Sequence, residues 1–416
     1  MARRRVVITG LGAVTSLGQD VPTLWKNILD GRSGVAPIGA FDASQHASRI
    51  ASEVRGFDPT QWMDPREAKR QDRFAQFAMA AAVQAVEDSG IDFAKEDVQR
   101  VGVLIGTGIG GIGELEQQHS RLLEGGPRRV SPFLIPKLMG NAASGVVSIR
   151  WGLQGPNSTV VTACASANHS LGAALRCIQY DEADMMISGG SEAAITALGV
   201  AGFASMLALS TRNDDPTAAS RPFDKDRDGF VIAEGAGVVV LEELEHAKRR
   251  GASIYAEVAG FAATGDAYHI TAPQPEGTGA AMAMIRALHD AGIQPDQVDY
   301  INAHGTSTPL NDAMESRAIR KALGGAADKV AVSSTKSMLG HMLGAAGGVE
   351  MILTALAVRD DVAPPTINYK TPDPDCDLYY VPNEAKRMTI TYAMSNTLGF
   401  GGHNATLVLK KCDAGA

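Results

Sequence analysis

The strongest constraint on this chain is that much of it is written twice. Segments of its first half return in the same order in its second, at a spacing far too long for a solenoid. VVITGLGAVT (6–15) returns as AEVAGFAATG (256–265), each a β-rich run entering a glycine turn. The helical pattern AMAAAVQAVEDSGI, ending at Gly90 and Ile91, returns as AMAMIRALHDAGI, ending at Gly292 and Ile293, and both stop on a capping glycine. VGVLI (101–105) runs into GTGIGG, and VDYINA (298–303) runs into HGTSTP. CASANHSLGAA (164–174) aligns without gaps on KSMLGHMLGAA (336–346), which sets Cys164 opposite Lys336 and His169 opposite His341. EGAGVVVLEEL (234–244) matches GGHNATLVLKK (401–411) as a glycine turn and a closing strand. Strands alternating with helices in each copy predict an α/β protein of two fused units, residues 1–250 and 251–416, packed sheet against sheet through buried apolar helices. The first unit carries extra loops near 106–141 and 193–230, the kind of segment that builds sites and partner surfaces.

Composition narrows the function classes. A hydrophobic content of 45% fills a core across 416 residues, and a net charge of −8 gives no global attraction to nucleic acid or anionic membranes. The apolar start VVITGLGAV imitates a signal peptide, but Thr9, Gly10 and Gly12 interrupt it and it reads as a first strand. No run approaches the ~20 apolar residues needed to span a bilayer. Cys164, Cys177, Cys376 and Cys412 form neither a disulfide framework nor a CxxC pair, which fits a reducing cytoplasm.

Cys164 stands where a strand meets the start of an Ala/Gly-rich helix, a setting expected to favour the thiolate through the helix N-terminus. Cys177, inside the same helix, reads as core. His304 in NAHGTSTP and His341 in KSMLGHMLGAAGG are flanked by glycines that admit a ligand or another chain. His169, one turn past Cys164, reads as packing. A cysteine with two histidines serves several chemistries, including hydrolysis. Lys336 narrows them, because a nearby cation keeps histidine neutral and organises an acid such as Glu350. Two neutral histidines donating to one thioester carbonyl would stabilise an enolate.

Two look-alikes fail. GTGIGG satisfies the dinucleotide fingerprint GxGxxG but lacks an acid ~20 residues on. DKDRDG (224–229) imitates a calcium loop, yet its twelfth position is Gly235 and it reads as a charged turn.

Taken together, VTACASANHS, STRNDDP followed by SRPFDKDRDGFVIAEGAG, NAHGTSTPLND, SSTKSMLGHMLGAAGG and SNTLGFGGHN resemble the beta-ketoacyl-ACP synthases, condensing enzymes of the thiolase-like fold, over essentially the whole chain. The resemblance implies a five-layered αβαβα arrangement. It also implies decarboxylative condensation of acyl-ACP with malonyl-ACP in fatty-acid elongation, ping-pong through acyl-Cys164. His304 and His341 would stabilise the decarboxylated donor and Lys336 would support them. The amides of Cys164 and Phe400 would form the oxyanion hole, with Phe400 gating malonyl access. Thr306 and Thr308 would contact the phosphopantetheine arm, and Ile109 and Phe203 the acyl chain, Ile109 near a homodimer interface. The substrates bring their phosphopantetheine on acyl carrier protein, and no organic cofactor or catalytic metal is implied. Some relatives hold a monovalent cation, for which Asn302, Glu315, Glu350, Ser395 and Asn396 stand at the matching positions.

An acidic carrier needs a positive landing site. Asp64 and Pro65 open a helix pattern on which Arg66, Lys69, Arg70 and Arg73 share a face, and Arg128 and Arg129 extend it. Leu207 stands where elongating relatives often carry a basic residue. A polyketide ketosynthase would share every catalytic residue. A degradative thiolase is disfavoured by histidine in place of a second cysteine, and a chain-length subunit without catalysis is disfavoured by Cys164.

Overall fold

The computed structural model describes residues 3–412. Ten strands are hydrogen-bonded into one sheet: β1 (Val6–Val14), β2 (Val101–Gly106), β3 (Asn157–Ser158), β4 (Met185–Glu192), β5 (Gly235–Glu243), β6 (Ala256–Gly265), β7 (Tyr300–Asn302), β8 (Ala331–Ser333), β9 (Tyr392–Gly399) and β10 (His403–Lys410). Their spatial order is β8-β7-β9-β10-β6-β1-β5-β4-β2-β3. Read outward from the middle, both sets of strands follow the same path of first, fifth, fourth, second, third. The senses repeat as well. β1/β5 and β5/β4 are antiparallel and β4/β2 and β2/β3 parallel, as are β6/β10, β10/β9, β9/β7 and β7/β8 respectively. The duplication read from the sequence is therefore a duplication of topology. The two sets meet edge to edge through a short ladder, Val7 opposite Glu257 and Ile8 opposite Ala256.

Five principal helices cover the sheet: α1 (Arg73–Ser89), α2 (Ser166–Gln179), α3 (Thr278–Ala291), α4 (Pro309–Leu323) and α5 (Ala346–Asp360). α1 packs on β1, β4 and β5, α3 packs on β6 and β10 with α4 beside it, and α2 and α5 touch each other between the two sets of strands. Side-chain alternation along the strands explains the layering. Val239 and Leu241 of β5 join the central core with α2 and α5, whereas Val238 and Val240 face α1. In the second set Leu407 and Leu409 face the centre and Val408 faces outward to α3 and α4. α5 is buried on every side from Ala346 to Val358, which is why its sequence lacks a polar face.

Close approach of helix to strand needs glycine at matched places. A Cβ at Gly12 would stand 1.9 Å from the Ala81 carbonyl oxygen of α1, and one at Gly260 would stand 2.5 Å from that of Ala287 in α3. The helices end as expected, on left-handed Gly90 (φ 63) and Gly292 (φ 69).

Candidate active site

Cys164 lies on the 3-10 turn Ala163–Ala165 that leads into α2, and its counterpart in the second copy is the turn Leu343–Ala345 that leads into α5. Each turn opens on a residue with left-handed backbone, Ala163 (φ 51) and Leu343 (φ 47). This register corrects the ungapped alignment. The structural twin of Cys164 is Gly344, while Lys336 begins a separate four-residue helix, Lys336–Leu339, and His169 sits inside α2 with no partner role to His341. The shared Leu-Gly-Ala-Ala is a coincidence of small residues, buried within α2 in one copy and forming the entrance to α5 in the other.

The backbone N–H groups of Phe400 and of Cys164 itself favour the charged form of the Cys164 sulfur. Burial nevertheless pushes the thiol up to about 12, against the pull of Lys336 and those amides. The expected thiolate therefore gives way to a neutral thiol. Regular helix begins only at Ser166, and desolvation outweighs what its N-terminus supplies.

His304 follows β7, and the loop is held by Glu315 of α4, whose two carboxylate oxygens accept the amides of His304 and Gly305, each at 2.8 Å. His341 is pinned through its backbone: its amide donates to the Val231 carbonyl at 2.7 Å and its carbonyl accepts from Ala233 at 2.9 Å. The two rings stand nearly perpendicular, 86°, with centroids 5.3 Å apart. One side-chain atom from each of Cys164, His304 and His341 lies within 4.8 Å of the others, and all three residues are buried. Burial, then the charge of Lys336, holds both imidazoles well below the ordinary histidine range, so both are neutral. Lys336 is itself buried and ion-paired with Glu350.

A cavity of about 370 Å³ opens onto these three side chains. Phe203 lines it, edge-on to Phe230 at 5.5 Å, and Phe230 is edge-on to His341 at 5.3 Å. Thr306 and Thr308 line its approach with hydroxyls 2.8 Å apart, and Phe400 lies on the turn between β9 and β10. Leu207, Met206 and Leu310 form an exposed apolar rim. Ile109 stands apart from this lining, 40% exposed, on the turn after β2.

The turn read as merely charged has a structural task. Arg227 is buried and donates to the carbonyls of Thr308 (3.2 Å) and Pro309 (3.1 Å), and the Gly229 amide donates to Ser307 at 3.1 Å. It thereby braces the Thr306–Thr308 segment, whose middle residue, Ser307, is left-handed (φ 67). The carboxylate of Asp224, which would have to face a calcium ion, instead accepts the amides of Asp226, Lys370 and Thr371 and the side chain of Arg221. The amides of Gly108 and Ile109 in GTGIGG, which would have to face a phosphate, donate to Glu192. Sequence reading missed Arg227 and Glu192 because nothing in a single sequence marks a charged residue as buried.

The basic face also needs correction. The helix opened by Asp64 is one turn, Pro65–Ala68, and α1 starts afresh at Arg73 under an Asp72 cap. Arg66, Lys69 and Arg70 remain exposed, as do Arg128 and Arg129. Arg73 turns away, donating to Glu234 at 2.8 and 3.0 Å and to the Val54 carbonyl at 2.7 Å.

Among the cation candidates, both amide atoms of Asn302, Ser395 Oγ and Glu350 Oε2 are buried without a hydrogen-bond partner. That supply of unclaimed oxygen fits a small cation. Glu315 and Asn396 are already engaged, Asn396 Oδ1 by the Thr406 hydroxyl at 2.8 Å.

The chain has relatives among known proteins over its whole length. Family models described as "Beta-ketoacyl synthase, N-terminal domain" and "Beta-ketoacyl synthase, C-terminal domain" match residues 3–247 and 255–370. The chain is similar to a "3-oxoacyl-[acyl-carrier-protein] synthase 2" of Coxiella burnetii, 56% identical over 411 residues, and to one of Synechocystis, 54% identical, each covering 99% of both chains. Among solved structures, a type II polyketide ketosynthase in complex with its acyl-carrier protein superimposes with a TM-score of 0.93 at 38% identity, covering 99% of this chain and all of that one. A beta-ketoacyl synthase from Burkholderia phymatum gives 0.91 at 34%, covering 98% and 100%. The α/β fold is the thiolase-like fold of those ketosynthases.

Proposed function

This chain belongs to the beta-ketoacyl synthase family, and from that premise we propose that Cys164 accepts an acyl group which an enolate, held by His304 and His341, then extends by two carbons. The chain is a condensing acyltransferase of fatty-acid elongation, of the 3-oxoacyl-ACP synthase II kind. The observation that carries the residue roles is the convergence of one thiol and two neutral imidazoles within 4.8 Å at the floor of one cavity.

In the first half-reaction the Cys164 sulfur attacks the acyl thioester carbonyl. A C–S bond forms to Cys164, the C–S bond to the carrier's phosphopantetheine breaks, and the thiol proton leaves with the carrier thiol. The developing oxyanion would be met by the amides of Cys164 and Phe400, a reading supported by the pull both amides exert on the neighbouring sulfur. In the second, malonyl thioester places its carbonyl oxygen against the imidazoles. The bond to the carboxylate breaks, carbon dioxide leaves, and the electron pair is held as an enolate. Its carbon attacks the acyl-Cys164 carbonyl, and the sulfur departs to be reprotonated. Neutral histidines suit this role because they donate without needing a proton from solvent, and burial, aided by Lys336, keeps them so.

Thr306 and Thr308 on their braced turn fit the phosphopantetheine arm, and Phe203 fits the acyl chain. Asn302, Ser395 and Glu350 would hold a structural monovalent cation that neutralises buried carboxylate charge. Arg66, Lys69, Arg70, Arg128 and Arg129 form the landing site for an acidic carrier. The exposed apolar residues Val161, three residues past the edge strand β3, and Ile149, on the helix Ala142–Trp151 packed against it, support a homodimer across that edge, with Ile109 of the turn after β2 reaching the partner. The repeated topology supports the division into residues 1–250 and 251–416. Among the described residues no helix is long and apolar enough to cross a membrane, and a cytoplasmic location suits carrier-bound substrates. Identity of 53–56% to proteins named 3-oxoacyl-[acyl-carrier-protein] synthase 2 over 410–411 residues, against 38% to a type II polyketide ketosynthase, favours the elongating reading.

The test is condensation by the purified chain alone. Acyl-ACP and malonyl-ACP should yield 3-oxoacyl-ACP and one carbon dioxide per turnover, and no 3-oxoacyl-ACP should form with Cys164→Ala. Product formed only after adding a second protein would assign the chain to a non-catalytic role instead.

A further inference from the structure

Beside the nucleophile's turn lies a carboxylate that the chemistry above does not use. Glu192 ends β4 and is fully buried. Its Oε2 accepts the amides of Gly108 at 2.6 Å and Gly344 at 3.0 Å, and its Oε1 accepts the Thr107 hydroxyl at 3.0 Å and the Ile109 amide at 3.2 Å. Three donors come from the turn after β2 and the fourth from the turn that opens α5, so one side chain ties together turns from the two copies. The turns are packed to contact. A Cβ at Gly344 would stand 2.1 Å from the Gly108 nitrogen, and one at Gly108 would stand 3.5 Å from the carbonyl oxygen of Ala163, the residue before Cys164.

A buried carboxylate with four donors is ordinarily structural, since buried polar groups are paired as a rule. Glu192 differs in that the turn it holds at Gly108 packs on Ala163, the residue before the nucleophile, and its charge acts on the Cys164 thiol. Of the ionisable groups around Cys164, Lys336 favours the thiolate, Glu192 opposes it, and His304 and His341 are neutral. Burial pushes Glu192 up to about 7 while its four donors pull the other way.

We propose that Glu192 is a positioning residue that holds the Thr107–Ile109 and Gly344 turns against the nucleophile's turn and whose charge opposes the Cys164 thiolate. The inference rests on Cys164 being the nucleophile, and the test is chosen to separate the two. Glu192→Gln is nearly isosteric but removes the charge and sets an NH2 against at least one donor. Glu192→Asp keeps the charge but is one methylene too short to reach all four donors.

The measurement is the rate of Cys164 alkylation by iodoacetamide at pH 8, read by peptide mass, beside the rate of acyl loading. Glu192→Gln should alkylate about three- to tenfold faster than wild type, because a like charge near the thiol has gone. Glu192→Asp should alkylate within about twofold of wild type while loading acyl groups at least about tenfold more slowly, because the turns are no longer held. A purely structural role predicts instead that Glu192→Asp, in which the turns are also released, alkylates as fast as Glu192→Gln. A folded Glu192→Gln, melting within a few degrees of wild type, that alkylates at or below the wild-type rate overturns the proposal. Should Glu192→Gln not fold, Thr107→Val serves at pH 7. It removes one donor that favours the charged carboxylate, so at this pH the neutral carboxyl gains, opposition to the thiolate falls and alkylation should rise, and an unchanged rate in a folded protein overturns the proposal equally. Loss of acyl loading onto Cys164 in the wild type would instead sink the reading of function, whatever the alkylation rates.

Discussion

The turn before α2 and the turn before α5 share one backbone and carry opposite cargo. Both are 3-10 turns opened by a left-handed residue, Ala163 in one and Leu343 in the other, and both deliver a helix into the centre of the molecule. The first presents a sulfur to the cavity. The second presents a bare amide, that of Gly344, to Glu192, in a space where a side chain has no room. Duplication thus supplied two equivalent frames, and the difference between them lies in packing around the twin position. One frame kept space beside it and holds the nucleophile, while the other closed and became a joint between the copies.

Exchange of the side chains at these two positions should produce opposite losses. Cys164→Ala removes the acyl acceptor from a site with room around it, so condensation should fall by on the order of 10⁴-fold or more while the melting temperature barely moves. The histidines come next. Replacing His304 or His341 with Ala should slow decarboxylation of malonyl-ACP by about 10²- to 10³-fold, the usual worth of one oxyanion donor, with acyl loading less affected. Carbon dioxide release and acyl-enzyme formation, followed separately, check this. An equal loss in both half-reactions would show that the imidazoles serve the nucleophile instead.

Gly344→Ala sharpens the contrast from the other side. Its methyl would press on the Gly108 nitrogen and the Thr107 carbonyl carbon, at 2.1 and 2.6 Å, so the turns must part. We expect a loss of about 3 kcal/mol in denaturant unfolding, at the upper end for overpacking. A Gly344→Ala protein as stable as wild type would mean that the second frame is looser than described.

The smallest effect is a pH dependence. Both histidines stay neutral in the folded chain below the pH at which unfolded histidine, near 6.5, takes a proton. Below about 6.5 the unfolded state therefore binds more protons, and stability should fall as pH falls, by up to about 1.4 kcal/mol per unit for each histidine. Unfolding midpoints between pH 7.5 and 5.5 should drop in the wild type. The double replacement His304→Ala, His341→Ala should flatten that part of the slope.

Much of this was legible in the sequence, and the failures have physical reasons. The order of strands and helices in both copies, the capping glycines Gly90 and Gly292, and the family all followed from pattern. The register between Cys164 and its twin did not, because it is marked by backbone strain at Ala163 and Leu343, and neither is a glycine that would announce it. The basic helix face was overextended because charge periodicity ran on past Asp72, whose side chain accepts from the Phe74 amide and starts a new helix. The thiolate expected at Cys164 was lost to desolvation, which depends on how neighbours pack and has no signature in the residues around it.

The central claim is that one sulfur and two imidazoles, contributed by distant stretches of chain, work on a single thioester. Intact-protein mass spectrometry after mixing with acyl-ACP tests it most directly, using wild type, Cys164→Ala and the His304→Ala, His341→Ala double variant. The account predicts one acyl adduct on the wild type, none on Cys164→Ala, and an adduct on the histidine variant that persists when malonyl-ACP is added. An adduct of undiminished size on Cys164→Ala, or normal malonyl-dependent discharge of the histidine variant, would contradict it.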